Sequence, residues 1–441
     1  MRHKQLRVIV TIAMVIIALG FGCCGWAAEE EPTVMDVITI HSAITPAIAQ
    51  YIIKSVETAY TEEADGLIIL LDTPGGLDTA MRDIVKELLN TSVPIIVFVY
   101  PSGARAASAG VMITMAAHVA AMAPGTNIGA AHPVALGFGG KMDETMAKKV
   151  ENDAVAYTRG IAVKKGRNAE WAEEAVRKSV SVTAQEALKL NVIDTVATDV
   201  KDLLEKIDGK TITLPTGTVV LKTKGAVVRE KKMGLREKIL VTLSDPNIAY
   251  LLLMIGLAGL YFEFSHPGAI LPGVVGGISL ILAFFALQTL PVNYAGILLL
   301  LFGIVLFIAE IKIISHGMLT VAGVISLVLG SLMLFESPIP ALRVSLGVMI
   351  PTIIIASLFF IAIIGLAVKA QLRKPRTGME GMVGVEGYAT TDVREEGKVF
   401  VKGEYWNAYS SNTIEEGERV RVVGLKGLTV RVERIDDQEG G

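Results

Sequence analysis

Between Ile248 and Val368 the chain carries only five charged residues, Glu263, Glu310, Lys312, Glu336 and Arg343. A stretch so poor in charge cannot be solvated as ordinary surface. Each apolar run within it approaches the ~20 residues that carry a helix across a ~30 Å hydrocarbon core. Five spans are predicted, at 248–264, 268–288, 294–311, 317–335 and 346–368, within a membrane block covering 246–370. The breaks fall at Ser265-His266-Pro267, Pro291-Val292-Asn293, Lys312 to His316 and Glu336 to Arg343. Gly273, Gly276 and Gly277 suit close helix packing. Composition agrees: 52 % of residues are hydrophobic and only 19 % charged, where soluble chains carry about 25 %.

The rest of the 441 residues leaves room for soluble domains on both sides of the block. Arg2, His3, Lys4 and Arg7, the apolar run Val8 to Leu19, and Gly25-Trp26-Ala27-Ala28 before three glutamates make 1–28 a signal peptide or an N-terminal anchor. A lipoprotein signal at Cys23 fits poorly, because Leu19 lies one position too far away. After the last span come Lys369, Arg373, Lys374 and Arg376, a basic cluster that belongs in the cytoplasm. If 30–230 is exported, an odd number of spans returns the chain to that side, so five spans are preferred to four. The net charge of −3 gives no sign of a nucleic-acid binder. The adjacent Cys23 and Cys24 exclude a disulfide framework and a cysteine zinc site. No metal and no cofactor are expected.

Residues 34–210 alternate apolar strands with helical stretches, as in an α/β fold. Strands are predicted at 34–40, 66–71, 94–99, 119–123 and 192–196, and helices at 46–59, 77–90, 142–165, 168–177 and 183–190. A hairpin is predicted at 211–223, turning at Thr216-Gly217. Two loops at the C-terminal ends of buried strands are placed for chemistry. Pro74-Gly75-Gly76 offers backbone N–H groups with no side chains in the way. In Gly103-Ala104-Arg105-Ala106-Ala107-Ser108-Ala109-Gly110, Ser108 sits among small residues at the predicted opening of a helix, where free amides and the helix dipole favour developing negative charge. Tight helix packing alone would equally suit such small residues.

A serine nucleophile needs a base. His118, His132, Lys141, Lys148, Lys149, Asp143 and Asp153 are the candidates downstream. On the 142–165 helix, Met142, Met146, Lys149, Asp153 and Ala156 share one face, so Lys149 is expected along a partly apolar stripe, and burial favours a neutral lysine. Lys148 shares its face with Glu144, Thr145 and Asn152, which suit water.

These motifs, with Met122-Ala123-Pro124-Gly125-Thr126-Asn127-Ile128-Gly129-Ala130, Gly166-Arg167-Asn168 and Thr377-Gly378-Met379-Glu380-Gly381, resemble the long form of the NfeD family over nearly the whole chain. The resemblance implies a ClpP/crotonase-like protease domain similar to ClpP and signal peptide peptidase A, a polytopic helical membrane block and a small all-β OB-fold domain. It implies a membrane-bound serine endopeptidase with a Ser–Lys dyad, acting on apolar segments of stomatin-like partners. The nucleophile then falls on Ser108 and the base on Lys149, seventeen residues before Gly166. The fold analogy puts the oxyanion hole at the amides of Gly76 and Ala109, with Gly75 not excluded. The glycine-rich loop from Ile128 to Gly140 is expected to border the substrate groove. His132 is the rival base, in a more conventional Ser–His pair.

Residues 378–441 alternate in five short strands, which suits a small barrel. With thirteen acidic against eight basic residues there, nucleic-acid binding is disfavoured and a protein-binding role preferred. Trp406 is expected in the core. The expected partners are a stomatin-like membrane protein, the lipid bilayer and further copies of the chain. The expected location is the cell membrane, with the protease domain outside the cytoplasm and the C-terminal domain inside. Two rivals remain: an acyl-CoA enzyme of the crotonase kind, which would leave Ser108 idle, and a non-catalytic scaffold for membrane partners.

Overall fold

A computed structural model describes residues 32–134 and 143–435, apart from 266, 267, 269, 314, 316, 336, 338–341 and 372–380. The predicted signal or anchor, the stretch Ala135 to Gly140, Lys141, Met142, the basic residues Arg373, Lys374 and Arg376, and Thr377 to Glu380 lie outside the described residues.

Strands β1 (Val34–His41), β2 (Gly66–Asp72) and β3 (Ile95–Val99) are joined by α1 (Pro46–Thr61) and α2 (Asp78–Asn90). With β5, β8 and β11 (Val119–Met122, Thr195–Val196 and Val227–Glu230) they form one parallel sheet in the order β11-β1-β2-β3-β5-β8. β2 and β3 read as continuous apolar runs because both faces of the sheet are covered. Leu67, Ile69, Leu71, Ile95, Val97 and Val99 point into one core. Ile68, Ile96 and Phe98, alternating with them, point into the other. The first core is closed by α1, α2, α3 (Ala109–Ala116), α4 (Glu144–Lys164), α5 (Ala169–Arg177) and α6 (Ala184–Lys189); the second by α7 (Val200–Ile207) and the hairpin of β9 (Thr211–Leu214) and β10 (Gly217–Val220). That hairpin pairs Leu214 with Gly217, so its turn comes one residue earlier than predicted.

Two predicted features are corrected. The stretch 103–110 does not open directly into a helix: Arg105–Ala107 forms β4, which pairs in parallel with β6 (Asn127–Gly129) inside the segment read as loop. β7 (Ser181–Thr183) completes this small sheet. The strand predicted at 192–196 is confined to Thr195–Val196, with Val192 and Ile193 buried in the turn that precedes it.

After a short helix, α8 (Leu235–Leu243), all five predicted apolar runs are helical: α9 (Pro246–Ser265), α10 (Ile270–Leu287), α11 (Tyr294–Lys312), α12 (Met318–Leu334) and α13 (Leu346–Gln371). Three are long and apolar enough to cross a membrane, at Pro246–Ser265, Ile270–Leu287 and Leu346–Leu366; the apolar parts of the other two, Tyr294–Glu310 and Met318–Leu334, are shorter. Gly276 packs against Gly259, where a Cβ on Gly276 would come within 2.9 Å of the Gly259 Cα. Gly273 lies against Glu263, while Gly277 faces open space.

Residues 386–434 form a separate closed barrel from β12 to β16 (Glu386–Ala389, Gly397–Val401, Glu404–Tyr409, Arg419–Lys426 and Thr429–Arg434). Val399, Val401, Val420, Val422, Val430 and Val432 fill its interior, with Trp406 packed against them.

Candidate active site

The chain beyond β2 is drawn toward β4. Thr73 donates its amide to Arg105 O (2.8 Å) and accepts from Ala107 N (3.1 Å). Its buried hydroxyl accepts the Gly75 amide at 3.1 Å. Ile44 then ties down the turn: its amide donates to Gly75 O (2.8 Å) and its carbonyl accepts from Leu77 N (2.9 Å). Gly76 lies between these two bonds in a parallel bridge, so its own amide points to the opposite side. Among the described residues no acceptor is paired with it.

Both glycines are sterically required. Gly75 has φ +113°, and a Cβ there would lie 2.7 Å from Ser108 Cβ. A Cβ on Gly76 would meet Ile44 O at 2.2 Å.

Ser108 caps the start of α3 with φ 52° and ψ −113°, a backbone region that costs a non-glycine residue roughly 1–3 kcal/mol. The surroundings fix it there: its amide donates to Gly129 O (3.1 Å) and its carbonyl accepts from Val111 N (2.9 Å). Ala109 takes the first helical position, where an amide has no acceptor within its own helix. The far end of α3 is held by Arg167, which donates to Met115 O (2.6 Å) and Ala117 O (3.0 Å) and pairs with Asp194 at 2.6 Å. Gly166-Arg167-Asn168 thus supports the serine-bearing helix from behind, and Asn168 caps α5 by accepting Trp171 N at 2.9 Å.

Ser108, Ala109, Gly76 and Lys149 line one cleft of about 440 Å³. Met81, Met112, Val134, Val150 and Ala154 give it apolar walls, and Asp78, Arg82 and Asp153 lie at its charged side.

The predicted burial of Lys149 is corrected. The whole segment 143–150 is exposed, as are Asp153 and Ala156. The buried stripe of α4 is Ala154, Val155, Thr158, Ile161 and Ala162, so the helix packs through its C-terminal half and projects Lys149 over the cleft from its free half. Lys148 turns away and pairs with Glu144 at 3.0 Å.

The two candidate histidines are engaged elsewhere. A ring nitrogen of His132 lies 2.9 Å from Val176 O, and His132 does not line the cleft. His118 is buried and its Nδ1 accepts Ile95 N at 3.1 Å. Burial, with Lys165, Arg167 and Lys164 nearby, pushes its imidazole down to about 3. Asp143 sits at the N-terminal cap of α4 without a capping bond. Gly75, with its amide committed to Thr73, does not present it to the cleft. Arg82 was not among the predicted site residues. Its spacing from Asp78 is visible in the sequence, but its bond to Asp153, 71 positions on, is a product of the fold.

Family models match three consecutive parts of the chain: the NfeD1b N-terminal domain over 34–214, the NfeD integral membrane domain over 247–366, and the NfeD-like C-terminal, partner-binding domain over 379–434. The chain is 38 % identical over 420 residues to a membrane-bound protease, PH1510, of Pyrococcus horikoshii, covering 92 % of this chain and 95 % of that protein. It is 26 % identical over 426 residues to the membrane protein NfeD1b of Bacillus subtilis, covering 92 % and 94 %. A solved structure of 1510-N, a Pyrococcus horikoshii membrane protease specific for a stomatin homolog, matches 48 % of this chain and 99 % of its own length at 35 % identity, with a TM-score of 0.43.

Proposed function

The chain belongs to the NfeD family, and from that premise we propose that it is a membrane-anchored serine endopeptidase with Ser108 as nucleophile and Lys149 as general base. The observation that carries this reading is the meeting of Ser108, Ala109, Gly76 and Lys149 in one cleft, with Ser108 held in a strained conformation at a helix start. Strain of this kind persists where the surroundings over-determine it, as at nucleophile turns.

Neutral Lys149 takes the proton of the Ser108 hydroxyl as Oγ attacks a peptide carbonyl. The tetrahedral oxyanion is received by the Gly76 and Ala109 amides, each donor contributing on the order of 10²–10³ in rate. The lysine gives its proton to the leaving amine, then activates the water that hydrolyses the acyl-enzyme.

The apolar walls suit substrates with consecutive apolar side chains. A stomatin-like membrane protein, as the family resemblance implies, is the proposed partner or substrate. The α/β domain is placed outside the cytoplasm, with α9 to α13 as five spans and the barrel inside. Five short strands closing in the order β12-β13-β14-β16-β15 support an OB-fold, a small five-stranded barrel. Self-association is proposed as well.

The test is cleavage of an internally quenched peptide of consecutive leucine and valine residues by the full chain in detergent micelles. Ser108→Ala and Lys149→Ala are each expected to abolish cleavage. Full activity without Ser108 would sink the proposal, and a surviving Lys149→Ala chain would reassign the base.

A further inference from the structure

Arg82 reaches out of α2, the helix that begins directly after the Gly75-Gly76 turn, and its planar head is used on three sides. Nε donates to Asp78 Oδ2 at 2.8 Å and Nη2 to Asp153 Oδ2 at 2.5 Å. The guanidinium carbon stands 4.3 Å over the Tyr157 ring. Asp153 and Tyr157 follow Lys149 at four-residue intervals, so all three lie along one side of α4. The first half of that helix is exposed and contributes nothing to the core. The Arg82 contacts therefore lie next to the point where α4 leaves the domain to carry its lysine over the cleft.

Charge gives the arrangement a second consequence. Lys149 and Asp153 have the i, i+4 spacing at which opposite charges attract on a helix. Among the described residues no carboxylate lies within ion-pair distance of Lys149, and the carboxylate best placed for it is instead held by Arg82. Among the described residues the charged groups bordering the cleft besides Lys149 are Asp78 and Arg82 from α2 and Asp153 from α4 itself. α3 and residues 131–134 bring none to it, the His132 ring being turned to Val176 O. Glu144 is occupied by Lys148, and Glu151 by Arg177.

Resting on the Ser–Lys reading above, we propose that Arg82 is a positioning residue for Lys149: it anchors the exposed half of α4 beside the cleft and withholds the Asp153 carboxylate from the lysine ammonium. Without Arg82, Asp153 becomes a counter-ion one turn away, the charged lysine is stabilised, and the base is withdrawn at neutral pH.

The test is the pH dependence of kcat/KM for the full chain on the same quenched leucine–valine peptide. Arg82→Gln is expected to move the acid limb upward by about 1 pH unit, the low end of the effect of a near opposite charge. Asp153→Asn should move it downward, because a nearby negative charge is lost while Arg82 keeps only Asp78 as its carboxylate partner. The double variant Arg82→Gln/Asp153→Asn should bring the limb back between the two, even if its overall rate is lower. A uniform fall in rate in both single variants, with limbs that coincide with the wild type, would overturn the proposal and leave Arg82 a structural strut. Lys149→Ala measured in parallel separates the two possible failures. If that variant keeps its cleavage, the Ser–Lys reading is wrong; if it is inactive and the limbs still coincide, only the role given to Arg82 is wrong.

Discussion

The two walls of the cleft are built on opposite principles. On the side of Ser108, the proposed nucleophile, Gly75, Gly76 and Ser108 are locked by hydrogen bonds of their turn to the Ile44 backbone, the Thr73 hydroxyl and Gly129 O and by contacts with no room for a methyl group. On the other side, Lys149, the proposed base, rides on a helix segment with no buried residue before Ala154, held from the side by the exposed ion pair of Arg82 and Asp153. An oxyanion hole must be preorganised to tenths of an ångström. A lysine has four rotatable bonds with which to find its partner, and a groove that admits a polypeptide gains from one adjustable wall. The rigid elements are therefore invested where the proposed chemistry needs fixed geometry, and only the exposed first half of α4 is left adjustable.

The sharpest way to break this contrast is to substitute on the rigid side. Gly76→Ala is expected to cost about 3 kcal/mol in stability, because the new Cβ meets backbone that cannot rotate away, and to lower kcat/KM at least on the order of 10²-fold by displacing the amide. Gly75→Ala should lose activity comparably through its contact with Ser108, with a smaller stability loss of about 1–3 kcal/mol from the strained φ. Denaturant titration alongside the peptide assay checks both.

The next effect tests the support behind the proposed nucleophile. Arg167→Ala leaves the half-buried Asp194 with Lys210 as its remaining cation and two carbonyls at the end of α3 without their donor. A loss of about 1–3 kcal/mol in unfolding free energy is expected from the buried acceptors left unpaired, with activity falling as α3 loosens.

A third prediction concerns pH. His118 lies behind the same wall with its imidazole held near 3, whereas in the unfolded chain it protonates near 6.5. The unfolded state therefore binds more protons as pH drops below about 6.5. Stability should fall on the order of 2 kcal/mol between about pH 6.5 and pH 4.5. His118→Asn, whose side-chain oxygen can still accept the Ile95 amide, should lose that slope in thermal melts across the same range.

The smallest effects belong to the free half of α4. Lys148→Ala and Glu144→Ala remove an exposed i, i+4 pair and should each change stability by less than about 0.5 kcal/mol. A large loss from either would mean that this segment is packed after all, and the contrast between the walls would fail.

Much of this architecture was legible in the residues. Charge depletion marked all five apolar helices, and continuous apolar runs marked β2 and β3, because a strand covered on both faces has no polar side to interrupt it. Ser108 and the glycine turn were visible as small residues at strand ends. Strands β4, β6 and β7 were not visible: each is three residues long, too short for any period, and their pairing is decided by neighbours distant in sequence. The exposure of Lys149 was misjudged because Met146 and Ala156 give its face an apolar look. The stripe that packs begins only at Ala154, and a helix wheel does not reveal where along its length a helix leaves the core. Arg82 was missed for a related reason, since its partner lies on another helix.

The most direct measurement of the central claim is to trap the acyl-enzyme analogue. The full chain in micelles would be treated with a fluorophosphonate probe, digested, and mapped by mass spectrometry. The account predicts a single labelled site at Ser108, absent in Ser108→Ala and formed much more slowly in Lys149→Ala. Labelling at another residue, or a labelling rate at Ser108 unchanged by the loss of Lys149, would contradict it.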